Sequence, residues 1–328
     1  MKVLDVDRST GNPLMKFAYN PKPEPGPHEL LVKIEATALN RADLLQKAGK
    51  YPVPDGASPI LGLEMSGRVA ETGENITLFE EGDLVFGLLS GGGYAEYCVI
   101  PEAHAMPIPE SLSFEEAAGI SETFLTACQG LLWNVEISDD ETVLIHAGAS
   151  GVGTSAIQIA KLLFNARVIV TAGSIEKLNL CKSLGADIGI NYKTEEFADV
   201  IEKEIGESSV DLILDFVGSP YWHQNIQVLA IDGRMVLLGL LGGASVDKMN
   251  LGTILRKRLT IRGSTLRNRS DEYKALLTEE FMDVVYESIV SKQIKPVIDS
   301  IYNWEDTEDA HQRMKQNKNA GKIILTGM

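Results

Sequence analysis

Between residues 140 and 265, short apolar runs alternate with amphipathic helical patterns, and this alternation constrains the fold more than any other feature of the chain. The runs are ETVLIH, ARVIVTA, DIGIN, VDLILDFVG, RMVLLGL and LTIRGSTL; between them lie GVGTSAIQIAKLLF, SIEKLNLCKSLG, FADVIEKEIGE and WHQNIQVLAI. Six short β-branched runs separated by helices read as a parallel sheet covered on both faces. Right-handed crossovers then make it a doubly wound Rossmann domain, an α/β fold.

The first run enters its helix through HAGASGVG, with glycines at 148, 151 and 153. Such a turn lets a pyrophosphate approach the backbone closely and rest at the positive end of the helix. The spacing is G-x-x-G-x-G and not G-x-G-x-x-G, so the weight falls on context: an apolar strand before it, and Val152, Ala156, Ile159 and Leu163 after it. An acid ending the second strand would suit a ribose 2′-hydroxyl. Here that strand ends in Gly173 and Ser174, with Lys177 a helical turn later and Tyr192 just past the third strand. A hydroxyl and a cation suit a 2′-phosphate, so NADPH is the expected cofactor. Glu176, an acid near the right distance, falls in a first helical turn, where dipole compensation accounts for it.

Up to residue 110 the rhythm is different, with short alternating strands broken by turns such as the glycines at 91 to 93, which suggests a rolled antiparallel sheet. Ser113-x-x-Glu116 then carries a capping-box pattern that opens a helix. The tail holds a long helical pattern over 271–294, then strand, helix and a closing strand GKIILTG that could complete the first sheet. A length of 328 residues favours two domains.

A net charge of −16, spread along the chain, would repel polyanions such as DNA and fits a solvated cytosolic surface, so no nucleic-acid partner is expected. No apolar run reaches membrane-spanning length and no secretory pattern opens the chain, so a cytoplasmic setting is expected. Cys98, Cys128 and Cys181 form no CxxC pair and read as packing residues. The five histidines are scattered; His146 beside the glycine loop could support it from behind, and the rest read as surface or turn residues. Within ILGLEMSGRV, Glu64 is an acid in apolar surroundings, which demands a metal, a buried cation or an exposed turn.

ALNRADLLQKAGKYP, ILGLEMSGRV, HAGASGVG and NKNAGKIIL together resemble the medium-chain dehydrogenase/reductase superfamily. Within it they are similar to the zinc-less quinone oxidoreductase branch, most of all to p53-inducible quinone oxidoreductase homologues, over essentially the whole chain. The resemblance implies a GroES-like β-rich catalytic domain over 1–122 and 267–328, and the Rossmann domain over 123–266. Zinc-dependent members carry a cysteine where this chain has Asn40 and a histidine where it has Leu63. Carboxylate, Asn and Leu make no reasonable zinc site, so no metal is expected. Glu64 should instead pair with a basic side chain or backbone amides, Arg41 being the first candidate.

What remains is hydride delivery to an acceptor that is already electrophilic, a quinone or a conjugated carbonyl. The resemblance implies that Asn40 positions the nicotinamide ribose and that Tyr51 lines the substrate cleft. Tyr51 could donate to a carbonyl oxygen as charge develops, or serve as a wedge for packing. Ser150, Gly151, Val152 and Gly153 should hold the pyrophosphate; Gly173, Ser174, Lys177 and Tyr192 the 2′-phosphate; Gly239 and Leu266 should border the nicotinamide. Lys322 matches a basic position near the end of such proteins, with a surface lysine as the alternative. The leading expectation is an NADPH-dependent quinone oxidoreductase. The alternatives are an enone or 2-alkenal reductase and, from another class, an NADPH-binding crystallin-like or sensor protein. A homodimer is implied, with LTIRGSTL as an edge to pair across subunits.

Overall fold

The computed structural model of the chain describes residues 1–9, 11 and 13–328. They form two compact units, Met1–Leu125 with Leu266–Met328, and Thr126–Thr265. In chain order the strands are β1 (Lys2–Asp7), β2 (Leu14–Tyr19), β3 (Glu29–Ala38), β4 (Glu64–Thr72), β5 (Leu84–Leu88), β6 (Tyr97–Pro101) and β7 (Ala105–Pro107). Then come β8 (Thr142–Ile145), β9 (Arg167–Ala172), β10 (Ile188–Asn191), β11 (Val210–Asp215), β12 (Leu229–Leu237), β13 (Thr260–Gly263), β14 (Ile298–Asn303) and β15 (Lys322–Thr326).

In the first unit a seven-stranded sheet runs β14-β15-β3-β4-β5-β7, with β6 also paired to β3. The tail therefore does complete the sheet begun near the N-terminus: Ile324 of β15 lies opposite Ala38 of β3. Leu30, Val32 and Ile34 pack with Met65, Val85 and Ile100 in its core. The turn before β4 depends on glycine, because Gly62 has φ +96° and a Cβ there would lie 2.6 Å from Gly93 Cα. The Ser113–Glu116 capping box forms as read: Ser113 Oγ accepts the Glu116 N–H, and Glu116 Oε2 accepts the Ser113 N–H.

The second unit is a six-stranded, wholly parallel sheet of order β10-β9-β8-β11-β12-β13. Counted along the chain this is the Rossmann order, and its switch point lies between β8 and β11. Leu144, Ile169, Ile190, Ile213 and Met235 bring five strands into one core with Phe197 and Ile201. All three cysteines are buried, and burial pushes the Cys98 and Cys181 thiols up to about 12.

Two helical patterns are realised differently from the sequence reading. The run 271–294 is α-helical over Asp271–Phe281, widens to a π-turn over Met282–Tyr286 and returns to α over Glu287–Val290. Its buried residues Leu277, Phe281, Val285 and Ile289 recur every fourth position; a turn of 3.6 residues would rotate them off the core, and widening keeps them facing it. The pattern WHQNIQVLAI is helical only over Trp222–Val228. There the Lys257 ammonium donates to the carbonyls of Ile226, Gln227 and Leu229, capping the helix so that β12 starts at Leu229.

Candidate active site

In the second unit, β8 leads through His146 to the glycine turn, and Ser150 caps the helix Gly151–Phe164 by accepting the Gly153 N–H at 3.0 Å. The turn is tight. A Cβ on Gly153 would lie 2.6 Å from the carbonyl oxygens of both Ala147 and Gly148, so only glycine lets the helix start there. Below it, His146 is fully buried, with Nδ1 3.0 Å from Thr171 Oγ1 and Nε2 2.8 Å from Asn225 Oδ1. Asn225 Nδ2 in turn donates to Asp215 Oδ2, and Asp215 Oδ1 accepts the N–H groups of Val217 and Gly218. Burial lowers the His146 pKa, so a neutral ring braces the loop through hydrogen bonds.

At the end of β9, Ser174 caps the helix Ile175–Ser183, accepting the Lys177 N–H. A Cβ on Gly173 would lie 2.6 Å from the Tyr192 hydroxyl and 3.2 Å from Lys193 Cε. Gly173, Ser174 and Tyr192 are therefore neighbours, and Lys193, which the sequence reading passed over, joins them; its adjacency to Tyr192 was the available signal. The Glu176 carboxylate turns back to its own N–H and to Ser174, which hold its pKa below the ordinary value. The Ser174 and Tyr192 hydroxyls and the Lys193 stem thus gather around Gly173 with Glu176 engaged locally, while Lys177 is placed among them by its backbone N–H at Ser174. Gly239 follows β12, with Phe216 O 3.2 Å from where its Cβ would stand, and Leu266 is buried.

The first unit holds a buried polar cluster. Glu64 is 0% exposed, and its Oε1 accepts Lys322 Nζ at 2.6 Å and Asn40 Nδ2 at 2.9 Å, while its Oε2 accepts the Glu122 N–H at 2.9 Å. Lys322 Nζ also donates to Leu39 O and to Asn40 Oδ1, both at 2.8 Å, which commits all three of its protons. Lys322 is thus no surface residue. Arg41, the first partner expected for Glu64, donates instead to Asn317 Oδ1. The Arg41 side chain springs from a first helical turn that faces the C-terminal helix, whereas β15 runs beside β3 and delivers Lys322 inward. A cation does sit against Glu64, and it is an ammonium carried by the chain. Asn40 is locked between the two, and its backbone N–H donates to Asp43 Oδ2 at 2.7 Å. Asp43 Oδ1 also accepts the Gly62 N–H, yet burial prevails and pushes its pKa up to about 6.

Tyr51 is half-buried, and the Arg267 guanidinium carbon lies 5.3 Å from its ring centroid. Arg267 is 3% exposed and held by Ser90 O, to which its Nε donates at 2.9 Å. Desolvation raises the Tyr51 pKa, the Glu122 charge adds to that, and Arg267 opposes it. Glu122 and Arg267 carried no signal in the sequence, being an acid in a first helical turn and an arginine in a loop.

Two family models match the chain: an alcohol dehydrogenase GroES-like domain over residues 26–110, and a zinc-binding dehydrogenase over residues 151–291. The quinone oxidoreductase-like protein 2 of Bos taurus is 30% identical over 315 residues, spanning 96% of this chain and 89% of that protein. Among solved structures, the Escherichia coli quinone oxidoreductase complexed with NADPH is similar at a TM-score of 0.88 and 28% identity, over 100% of both chains. The CurK enoyl reductase is similar at a TM-score of 0.84 and 26% identity, over 98% of both chains. The chain is an oxidoreductase of the medium-chain dehydrogenase/reductase superfamily and belongs among its quinone oxidoreductase-like members.

Proposed function

We propose that the chain is an NADPH-dependent quinone oxidoreductase that works without a metal. The observation that carries this reading is the Lys322–Glu64–Asn40 cluster. The carboxylate is neutralised by an ammonium, the Asn40 amide is spent on both, and the neighbouring Leu63 is a buried hydrocarbon. That donor set offers no Lewis acid to an alcohol, and an acceptor that is electrophilic from the start needs none.

Ser150, Gly151, Val152 and Gly153 would receive the pyrophosphate at the start of their helix. Gly173, Ser174, Lys177, Tyr192 and Lys193 would receive the 2′-phosphate, as hydroxyl and ammonium donors. When bound, NADPH supplies the hydride. Asn40, held rigid by Lys322, would orient the ribose, with Gly239 and Leu266 bordering the ring, and Tyr51 would donate to the acceptor oxygen as negative charge grows there. Lys322 then serves the cofactor through Asn40, its own donors being committed.

Steady-state NADPH oxidation with 1,2- and 1,4-quinones tests this reading. No quinone-dependent rate above background would overturn it. Similarity to the CurK enoyl reductase supports a second reading, a reductase of enones or 2-alkenals, and formation of a saturated product from a conjugated aldehyde distinguishes it. The charge of −16, spread along the chain, supports a cytoplasmic setting. A homodimer fits the free edge of β13 and the exposed Leu251 and Leu255 beside it.

A further inference from the structure

Two buried cations of the first unit share one anchor and are short of anions. Arg267 is 3% exposed, and its Nε donates to Ser90 O at 2.9 Å, while both terminal nitrogens, Nη1 and Nη2, are buried and make no hydrogen bond to any described residue. Lys274, in the helix Asp271–Phe281, is equally buried, and its Nζ donates to Ser90 Oγ at 2.6 Å. Its ion-pair partner, Asp271 Oδ1, stands 3.9 Å away on a side chain that is 73% exposed. The charges of Tyr51, Asp43 and Glu122 reach Arg267, yet none of these groups bonds to it, and Glu122 Oε2 is itself without a hydrogen bond to any described residue. A buried guanidinium whose fork meets no acceptor is costly, and an oxyanion is the group that matches the fork.

Ser90, Arg267 and Lys274 line one cavity of about 860 Å³, a volume that takes a small organic molecule. Acids border it as well, but Asp55, Asp271 and Glu272 are exposed, and Glu29 Oε2 accepts the Gly26 N–H. His104, also on the wall, has its Nε2 turned to Asp271 O at 2.9 Å. The buried charges of the wall are therefore positive. The Arg267 guanidinium carbon lies 5.3 Å from the Tyr51 ring centroid, so this cationic wall adjoins the side chain read above as a donor to the acceptor. On a chain of net charge −16, an anion is held only where local charge overrides the field of the whole.

We propose that Arg267 and Lys274 select acceptors that carry an anionic substituent, a carboxylate or sulfonate attached to the quinone or enone, and hold that group in this cavity. The proposal rests on the reading of the site as one for hydride transfer to such an acceptor, and it names the class of acceptor. Arg267 receives the oxyanion on Nη1 and Nη2, and Lys274 adds a second charge through the protons that Ser90 does not engage. Because Nη1 and Nη2 are covered, binding turns the guanidinium toward the cavity, a side-chain change of the ordinary kind. Ser90 is a positioning residue: its carbonyl and its hydroxyl hold the two cations side by side.

Naphthalene-2-sulfonate and its neutral counterpart naphthalene-2-sulfonamide probe the cavity without turnover. Calorimetric titration of the full chain, with and without NADPH, should show saturable binding of the sulfonate and an affinity for the sulfonamide that is lower by about tenfold or more. Arg267→Met and Lys274→Met should each weaken the sulfonate by about 10- to 100-fold, and Arg267→Lys, which keeps the charge and loses the fork, by less. If Arg267→Met does not fold, Arg267→Lys and Lys274→Met decide the matter. Equal affinity for the two probes, or sulfonate binding untouched by these variants, would overturn the proposal. In turnover, the ratio of kcat/KM for 1,4-naphthoquinone-2-sulfonate to that for 1,4-naphthoquinone should fall in the same variants by about tenfold or more, and comparing ratios between proteins removes the intrinsic reactivity of the two quinones. An unchanged ratio would equally overturn it. Absence of turnover with every quinone and enone would remove the functional reading and the selection of acceptors with it, while the titrations still decide whether Arg267 and Lys274 hold an oxyanion.

Discussion

Lys322 Nζ lies 2.6 Å from Glu64 Oε1 across 258 positions of sequence, and the two side chains are 4% and 0% exposed. A buried pair of this kind is costly to break from one side, because the remaining charge keeps its desolvation penalty without its partner. Lys322→Met should therefore destabilise the protein by about 3–5 kcal/mol. The double variant Lys322→Met with Glu64→Gln should recover part of that loss. Urea denaturation of the three proteins measures the difference, and equal stability of all three would mean the pair is solvated.

The cofactor preference is expected to rest on the end of β9. Lys177→Ala should weaken NADPH by about 1.5–3 kcal/mol, the range of a hydrogen bond to a charged group, and leave NADH nearly unchanged. Calorimetric titration with both nucleotides measures this. Equal losses would show that Lys177 does not read the 2′-phosphate.

Gly153→Ala tests the glycine turn. Its new Cβ would meet two carbonyl oxygens at 2.6 Å, so the first turn of the helix must open. Nucleotide affinity should fall at least tenfold, about 1.4 kcal/mol, with a lowered melting temperature. Unaltered binding would mean that the turn does not hold the pyrophosphate.

Glu122 also gives stability a pH dependence. Its pKa is raised from 4.5 to about 8 on folding, so between those values the folded protein binds the proton more tightly than the unfolded chain. Stability from this group is full at the acid end of that window and declines as pH rises through it, by up to about 1.4 kcal/mol per pH unit. In Glu122→Gln this slope should vanish. Denaturation midpoints measured across the window check it, and a parallel pH dependence in both proteins would contradict it.

The free edge of β13 leads to a prediction about assembly. Leu251 and Leu255 are 66% and 79% exposed in the helix that precedes it. Replacing both with Glu should turn a dimer into a monomer with the fold intact, as read by light scattering and circular dichroism. A wild-type monomer would end the proposal.

Much of the fold was legible because it is written in local patterns. The six apolar runs between residues 140 and 265 became β8 to β13, since a strand buried on both faces must be apolar throughout. Gly148, Gly151 and Gly153 were legible because the turn needs residues without side chains, and the Ser113–Glu116 box because both of its hydrogen bonds close within one helical turn. The π-turn at Met282–Tyr286 was not legible, since the same residues fit an ordinary helix until the core selects which of them must face inward.

ILGLEMSGRV marks the boundary between the two kinds of information. The sequence alone determined that Glu64 sits in an apolar run, that a carboxylate with Asn40 and Leu63 makes no reasonable zinc site, and that a compensating group was required, because burying an uncompensated carboxylate is unfavourable wherever the chain places it. Tertiary structure decided that this group is Lys322 and not Arg41, and that Glu122 Oε2 is buried nearby with no hydrogen bond to any described residue. Those outcomes depend on β15 returning to pair with β3 and on a helix start docking against β4. Charge compensation acts over a few ångströms of space and is indifferent to separation along the chain, so the need was readable in sequence and the partner only in three dimensions.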